Sequence, residues 1–161
     1  MDTHIRKMEA GDVPAVASLL RSLMLFAHID AEPAQATRDR VAAHLALCQA
    51  GDSHLVLVAQ TAQDEIAGYC AVHWLPYFIL PGPEGYVSEL FISDNFRGQG
   101  IGGALLDVVK EHARERGCSR LMLLNMRKRE SYQRSFYAKQ GWEERPDAAN
   151  FILPLDQKAQ G

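Results

Sequence analysis

Arg97-Gly98-Gln99-Gly100-Ile101-Gly102-Gly103 is the stretch that decides the reading of this chain. The apolar run Leu90-Phe91-Ile92 stands just before it, and an apolar pattern at helical spacing, residues 101–112, starts inside it. Strand, glycine turn and helix in that order build an anion site. Glycine lets the backbone turn sharply and approach a ligand closely. The start of the helix then offers N–H groups without intrahelical partners and the positive end of the helix dipole. Phosphate or pyrophosphate is the natural guest of such a turn. A phosphate-bearing cofactor is therefore expected here.

Working outward, Ile101, Leu105, Val108, Val109 and His112 form one stripe of the helix, and Gly117 is placed to end it. Leu121-Met122-Leu123-Leu124 reads as the next strand, so residues 86–124 form a strand–helix–strand unit with parallel strands. Residues 130–140 read as a helix, and Trp142 and Phe151-Ile152-Leu153 as two last short strands, before a polar tail at 157–161. On the other side of the turn, residues 66–74 read as a strand with Gly68 at a bulge. They follow the buried strand 55–59 through a short turn at Asp64-Glu65, so these two must be antiparallel. Earlier still come a weak strand at 4–8 and an amphipathic helix over 13–24 with Asp12 as its cap. A loop at 26–33 and a second helix capped by Thr37 follow. Between prolines, Tyr77, Phe78, Ile79 and Leu80 read as a loop packed on the core, an apolar substrate wall or a dimer patch. The sum is an α/β (α+β) chain with a mixed, mostly antiparallel central sheet, helices on both faces and one parallel βαβ unit.

At 161 residues and 47% hydrophobic, the chain suits a single domain spanning 1–161 with a full core. A net charge of -3 disfavours nucleic acid as a partner. Arg127, Lys128, Arg129 and Arg134 form a local basic cluster, read either as a solvated face or as contacts for a polyanionic cofactor. Cys48, Cys70 and Cys118 are odd in number and lack CxxC spacing, which suits a reduced, cytoplasmic protein. No metal motif is present, and no apolar run approaches membrane-spanning length, so neither metal nor membrane is expected.

Gly98, Gly100 and Gly103 also satisfy GxGxxG, the dinucleotide fingerprint. That pattern calls for an acidic residue about 20 positions on, to hold a ribose. Residues 121–125 offer none, and too little chain follows for a doubly wound fold. A dinucleotide-binding oxidoreductase stays only as the lesser alternative.

Arg97-x-x-Gly100-x-Gly102 resembles the pyrophosphate loop of the GNAT superfamily of acetyl-CoA-dependent acyltransferases. Glu89-Leu90-Phe91-Ile92 resembles that family's central strand. Ser135-Phe136-Tyr137-Ala138-Lys139-Gln140-Gly141-Trp142 resembles its later FY-x-x-x-G-[FW] segment. The resemblance implies transfer of acetyl from acetyl-CoA to a primary amine of a small molecule or peptide. It assigns Arg97, Gly98, Gln99, Gly100, Ile101, Gly102 and Gly103 to the pyrophosphate. Leu90, Phe91 and Ile92 are assigned to pantetheine, which would pair with exposed strand backbone. Glu89 is the candidate general base, with a structural carboxylate as the plainer reading, and Tyr137 is the candidate acid for the leaving thiolate. Many members carry Asn and Ala upstream of the Phe, where this chain has Glu130 and Gln133. Ser131 or Asn125 is the substitute for that cofactor contact. A non-catalytic acyl-CoA sensor, a larger acyl group and a hydroxyl acceptor remain alternatives. Family members are often dimers, which leaves a homodimer open.

Overall fold

The computed structural model describes residues 2–155, and the tail at 157–161 lies outside them. The strands are β1 (Thr3–Lys7), β2 (His54–Thr61), β3 (Ile66–Leu75), β4 (Glu84–Ile92) and β5 (Arg120–Leu123). They form one sheet in the order β1-β2-β3-β4-β5. Every neighbouring pair is antiparallel except β4 with β5. The helices are α1 (Val13–Ser22), α2 (Ala27–Ala31), α3 (Ala34–Gln49), α4 (Ile101–Glu115) and α5 (Glu130–Gln133). The chain divides into two compact units, Met1–Leu124 and Asn125–Gly161. The whole sheet and α1 to α4 belong to the first.

Side-chain alternation sorts the sheet into two faces. On one, Val58 and Tyr69 pack with Val16, Leu19 and Leu20 of α1 and Leu45 of α3. On the other, Leu57 is the cross-strand partner of Cys70, and both are buried. Leu105, Leu106 and Val109 of α4 are fully buried, and Arg116, just past α4, lies 5.2 Å over the Trp74 ring. Covering both faces explains why β2 reads as an unbroken apolar run instead of an alternating one. Each such aliphatic side chain contributes about 1.5–3 kcal/mol when fully buried.

Several local expectations change. Asp12 precedes α1 but does not cap it through its side chain. Its carboxylate accepts the Glu9 N–H at 2.8 Å and two Arg6 guanidinium bonds at 2.7 and 2.8 Å, which holds its pKa below the ordinary value. The loop at 26–33 contains α2, with Ile29 buried under it. Helix α3 starts after Pro33, so Thr37 lies inside the helix and fully buried, its hydroxyl donating to Glu32. The register shift near Gly68 skips Ala67, one residue away from the expected bulge. The segment at 75–83 is a loop, but its tip is not packed on the core: Phe78 and Ile79 are exposed.

The second unit departs furthest. The helix expected over 130–140 is only the single turn α5, followed by Ser135 at φ 56° and a 3-10 turn, Ala138–Gln140. A non-glycine residue in left-handed conformation ends an α-helix. Trp142 and Phe151-Ile152-Leu153 are not strands, and the last three are exposed. The apolar pattern there is real, but strands exist only where a neighbour completes the ladder.

Candidate functional site

Strand β4 has two unlike halves. Glu84, Gly85, Tyr86 and Val87 pair with β3 on one side and with Arg120 to Leu123 of β5 on the other. From Glu89 to Ile92 only β3 pairs with it. The ladder's phase tells which backbone groups remain. The Ser93 N–H donates to Ala67 O at 2.9 Å, and the Trp74 N–H donates to Ser53 O, on the β2 side of β3. Backbone groups alternate sides along an antiparallel strand. Glu89 and Phe91 therefore turn their N–H and C=O to β3. Leu90 and Ile92 turn theirs away, to the side where β5 has stopped.

The strand then leads into the glycine turn. A 3-10 turn, Asp94–Phe96, is followed by Arg97 in extended conformation, whose guanidinium pairs with Asp94 at 2.8 Å. Gly98 and Gly100 are left-handed, at φ 74° and 81°, and nothing lies within 4 Å of where a Cβ would stand on either. Gly100 is the N-cap of α4, and its carbonyl accepts the first helical bond, from the Ala104 N–H at 3.0 Å. The N–H groups of Ile101, Gly102 and Gly103 precede that bond and have no partner within the helix. With Gln99, residues 97–100 form an exposed loop above a buried Ile101. Between the open edge at Leu90 and Ile92 and the glycine turn, the N–H groups of Ser93, Phe96 and Arg97 are bonded within the chain, so the open edge and the helix start are two separate sets of backbone donors.

Glu89 is exposed and accepts a 3.0 Å hydrogen bond at Oε2 from the Tyr69 hydroxyl. Tyr69 is only 2% exposed, and burial, then the Glu89 charge, push its pKa well above the ordinary value. It therefore stays a donor and fixes the carboxylate. Phe91 shares this face and meets Phe26 edge-to-face at 5.7 Å. Tyr69 was not singled out in the sequence, where it looked like one more apolar strand position; its opposition to Phe91, one ladder step from Glu89, is visible only in the register. A cysteine nucleophile is disfavoured. Burial raises the pKa of all three thiols, that of Cys70 to about 12.

In the second unit, Tyr137 is half-buried between Phe136 and Trp142, at ring distances of 4.9 and 6.0 Å, both edge-to-face. The Ser131 hydroxyl donates to Asn125 Oδ1 at 3.0 Å, so the two substitutes for the missing asparagine bond to each other. In the basic cluster, Arg127 pairs with Glu144 at 2.6 Å and Arg134 lies 5.3 Å over the Phe136 ring. Arg127 is thus tied into local structure. Among the described residues, no helix is long and apolar enough to cross a membrane.

Comparison with known proteins agrees with this layout. A thialysine N-epsilon-acetyltransferase from Bos taurus is 33% identical over 73 residues, a stretch that covers 43% of this chain and 43% of that protein. The crystal structure of a transcriptional regulator from Bacillus halodurans C-125 matches with a TM-score of 0.83 at 22% identity, over 96% of this chain and all of that one. Glucosamine-6-phosphate N-acetyltransferase from Arabidopsis thaliana matches with a TM-score of 0.75 at 20% identity, again over 96% of this chain and all of that one. Both structural likenesses speak to the fold. The profile of the acetyltransferase (GNAT) family matches residues 19–142, which takes in the sheet from β2 onward, the glycine turn and Tyr137, and the chain belongs to that family.

Proposed function

We propose that this protein transfers the acetyl group of acetyl-CoA to a primary amine of a small molecule or peptide, as a single cytoplasmic domain. The observation that carries the proposal is the outward-turned backbone of the open half of β4 together with the left-handed Gly98 and Gly100 and the first amides of α4 that have no partner within the helix. Bare left-handed glycines and unpaired helix amides fit a diphosphate. The outward backbone of Leu90 and Ile92 fits the amide-bearing arm of pantetheine, which would extend β4 as a short added strand.

Bound in that way, acetyl-CoA supplies a thioester. The amine nitrogen attacks its carbonyl carbon, the C–S bond breaks, and the CoA thiolate leaves. A protonated amine has no lone pair, and a lysine-like amine has a reference pKa near 10.4. Glu89, exposed and oriented by Tyr69, is the residue that takes the amine's proton, directly or through water. The family resemblance gives Tyr137 the other role, a proton for the departing sulfur. Three free thiols suit a reducing compartment.

The test is CoA release from acetyl-CoA across an amine panel. It would include thialysine and glucosamine 6-phosphate, the compounds named for the relatives, with lysine, alkylamines and short peptides. Turnover on any amine supports the transfer. Tight acetyl-CoA binding with no CoA formed on any of them would replace the enzyme by a sensor. With an active amine in hand, Tyr137→Phe is expected to lower kcat roughly 100-fold while acetyl-CoA affinity changes little. Equal losses in both would make Tyr137 a packing residue.

A further inference from the structure

The register of β3 against β4 shifts once, between Ala71 and Val72: Ala71 faces Glu89, Val72 faces Val87, and Ser88 is the extra residue. A bulge of this kind turns two consecutive side chains toward one face. Here they are Ser88 and Glu89. Glu89 meets Tyr69, and Ser88 Oγ lies 2.8 Å from His73 Nε2, two positions further along the same face of β3 than Ala71. Ser88 Oγ lies 3.4 Å from Ala71 O, a longer and weaker alternative for its proton. Tyr86 continues the row, its ring 6.0 Å from that of His73, and His54 closes it at 4.7 Å. Toward α1 and α3 this face is apolar. Along this row, apart from Ala71, it carries polar and aromatic groups, and Ser88 and Glu89 are exposed.

We infer that Ser88 and His73 form a second proton path for the acceptor, with Ser88 touching the amine and His73 acting through Ser88. This rests on the acetyl-transfer reading above. As the amine nitrogen bonds to the thioester carbon, its proton passes to Ser88 Oγ while the Ser88 proton passes to His73 Nε2. The imidazolium so formed returns its proton to water after each turnover. No other reactant is needed. A carboxylate beside a hydroxyl–imidazole pair gives the incoming amine two acceptors on one face, spaced by one residue of a bulged strand.

The path works only with a neutral imidazole. Burial, then the charge of His54, lowers the His73 pKa below its ordinary value of 6.5. From β2 it is faced by His54, and from β4 by Tyr86, Ser88 and the neighbouring Glu89. The charged side chain of α1, Arg21, is bound to the carbonyls of Ile29 and Glu32 and to the Thr37 hydroxyl. Helix α4 packs on the opposite face. The activity limb due to His73 should therefore lie below pH 6.5.

The experiment is the pH profile of kcat/KM with acetyl-CoA and the amine that turns over fastest in the panel. Wild type, His73→Gln, Ser88→Ala and Glu89→Gln are compared, with circular dichroism as a check on folding. The expected result is an acid limb below pH 6.5 in wild type. That limb should vanish in both His73→Gln and Ser88→Ala, with kcat/KM at pH 7 down about 100-fold, and should persist in Glu89→Gln. Ser88 is exposed, so its alanine variant should fold even if the histidine variant does not. A limb that survives in folded Ser88→Ala, or one that Glu89→Gln abolishes, would overturn the path while leaving acetyl transfer intact. No CoA release from wild type on any amine would instead sink the transfer reading, and this path with it.

Discussion

The two halves of β4 are built from similar residue types and do opposite work. Glu84 to Val87 is closed on both sides. Glu84 is fully buried and ion-paired with Arg120 across the parallel ladder, and Gly85 lies against Trp74 and Leu121. Glu89 to Ile92 is closed on one side only. A strand can leave its backbone groups unpaired only where water or a ligand satisfies them. The first half is therefore held by its side chains and holds the fold together. The second half keeps its main chain available and leads directly to the glycine turn. The bulge at Ser88 stands at the junction.

The sharpest way to break this division is at the end of the open half. Gly100→Asp puts a carboxylate where the turn should receive a phosphate. Aspartate tolerates the left-handed conformation of this position better than most residues, so α4 should survive. Calorimetric affinity for acetyl-CoA should fall at least about 100-fold through like-charge repulsion and lost space. The unfolding free energy should change by no more than about 1 kcal/mol. Unchanged affinity would mean the anion binds elsewhere.

In the closed half the same logic runs in reverse. Arg120→Leu removes the cation facing Glu84, whose Oε1 is already buried without a hydrogen-bond partner. Arg120 is half-exposed and Glu84 fully buried, so removing the cation strands a buried carboxylate. The expected loss is about 3 kcal/mol of unfolding free energy by urea denaturation. Acetyl-CoA affinity of the folded fraction should be unaltered. A loss of affinity without a loss of stability would erase the distinction between the halves.

This contrast also marks what the sequence could and could not say. The glycine turn was legible because its residue types answer a local geometric demand, φ above zero at Gly98 and Gly100. The antiparallel β2–β3 pair and the parallel β4–β5 pair were legible because a short turn forces the first and a single crossover helix the second, whereas the antiparallel pairing of β1 with β2, joined through three helices, was not. Tyr69, Ser88 and His73 were not legible, since their meaning depends on a one-residue shift between two strands far apart in the chain. The stretch from Glu130 to Leu153 misled for a related reason. Helix and strand patterns were present, but Ser135 turns left-handed, and the segment of Phe151 finds no strand to pair with among the described residues. Local pattern proposes an element, and partners decide whether it forms.

The smallest effects come from two glycines, Gly85 within the closed half of β4 and Gly68 on β3 opposite the open half. At Gly85 an added Cβ would stand 2.4 Å from Leu121 Cδ2 and 2.7 Å from Trp74 Cζ3. The leucine tip can rotate and the indole less easily, so Gly85→Ala should cost about 1–2 kcal/mol and leave acetyl-CoA affinity within two-fold or so. At Gly68 the Cβ would stand 2.4 Å from Ile92 Cδ1, and also 2.8 Å from the carbonyl oxygen of Phe91, which belongs to the β4 backbone. A side-chain rotation cannot relieve that second contact, so β4 itself must move. Gly68→Ala should therefore cost about 2–3 kcal/mol and also weaken acetyl-CoA several-fold, because the strand it displaces is the one whose outer edge is proposed to receive the ligand. The ratio of the two affinities matters more than either stability. If the two variants lose stability but bind acetyl-CoA equally well, the open edge at Leu90 and Ile92 is not where the ligand lies, and only the glycine turn remains as its anchor.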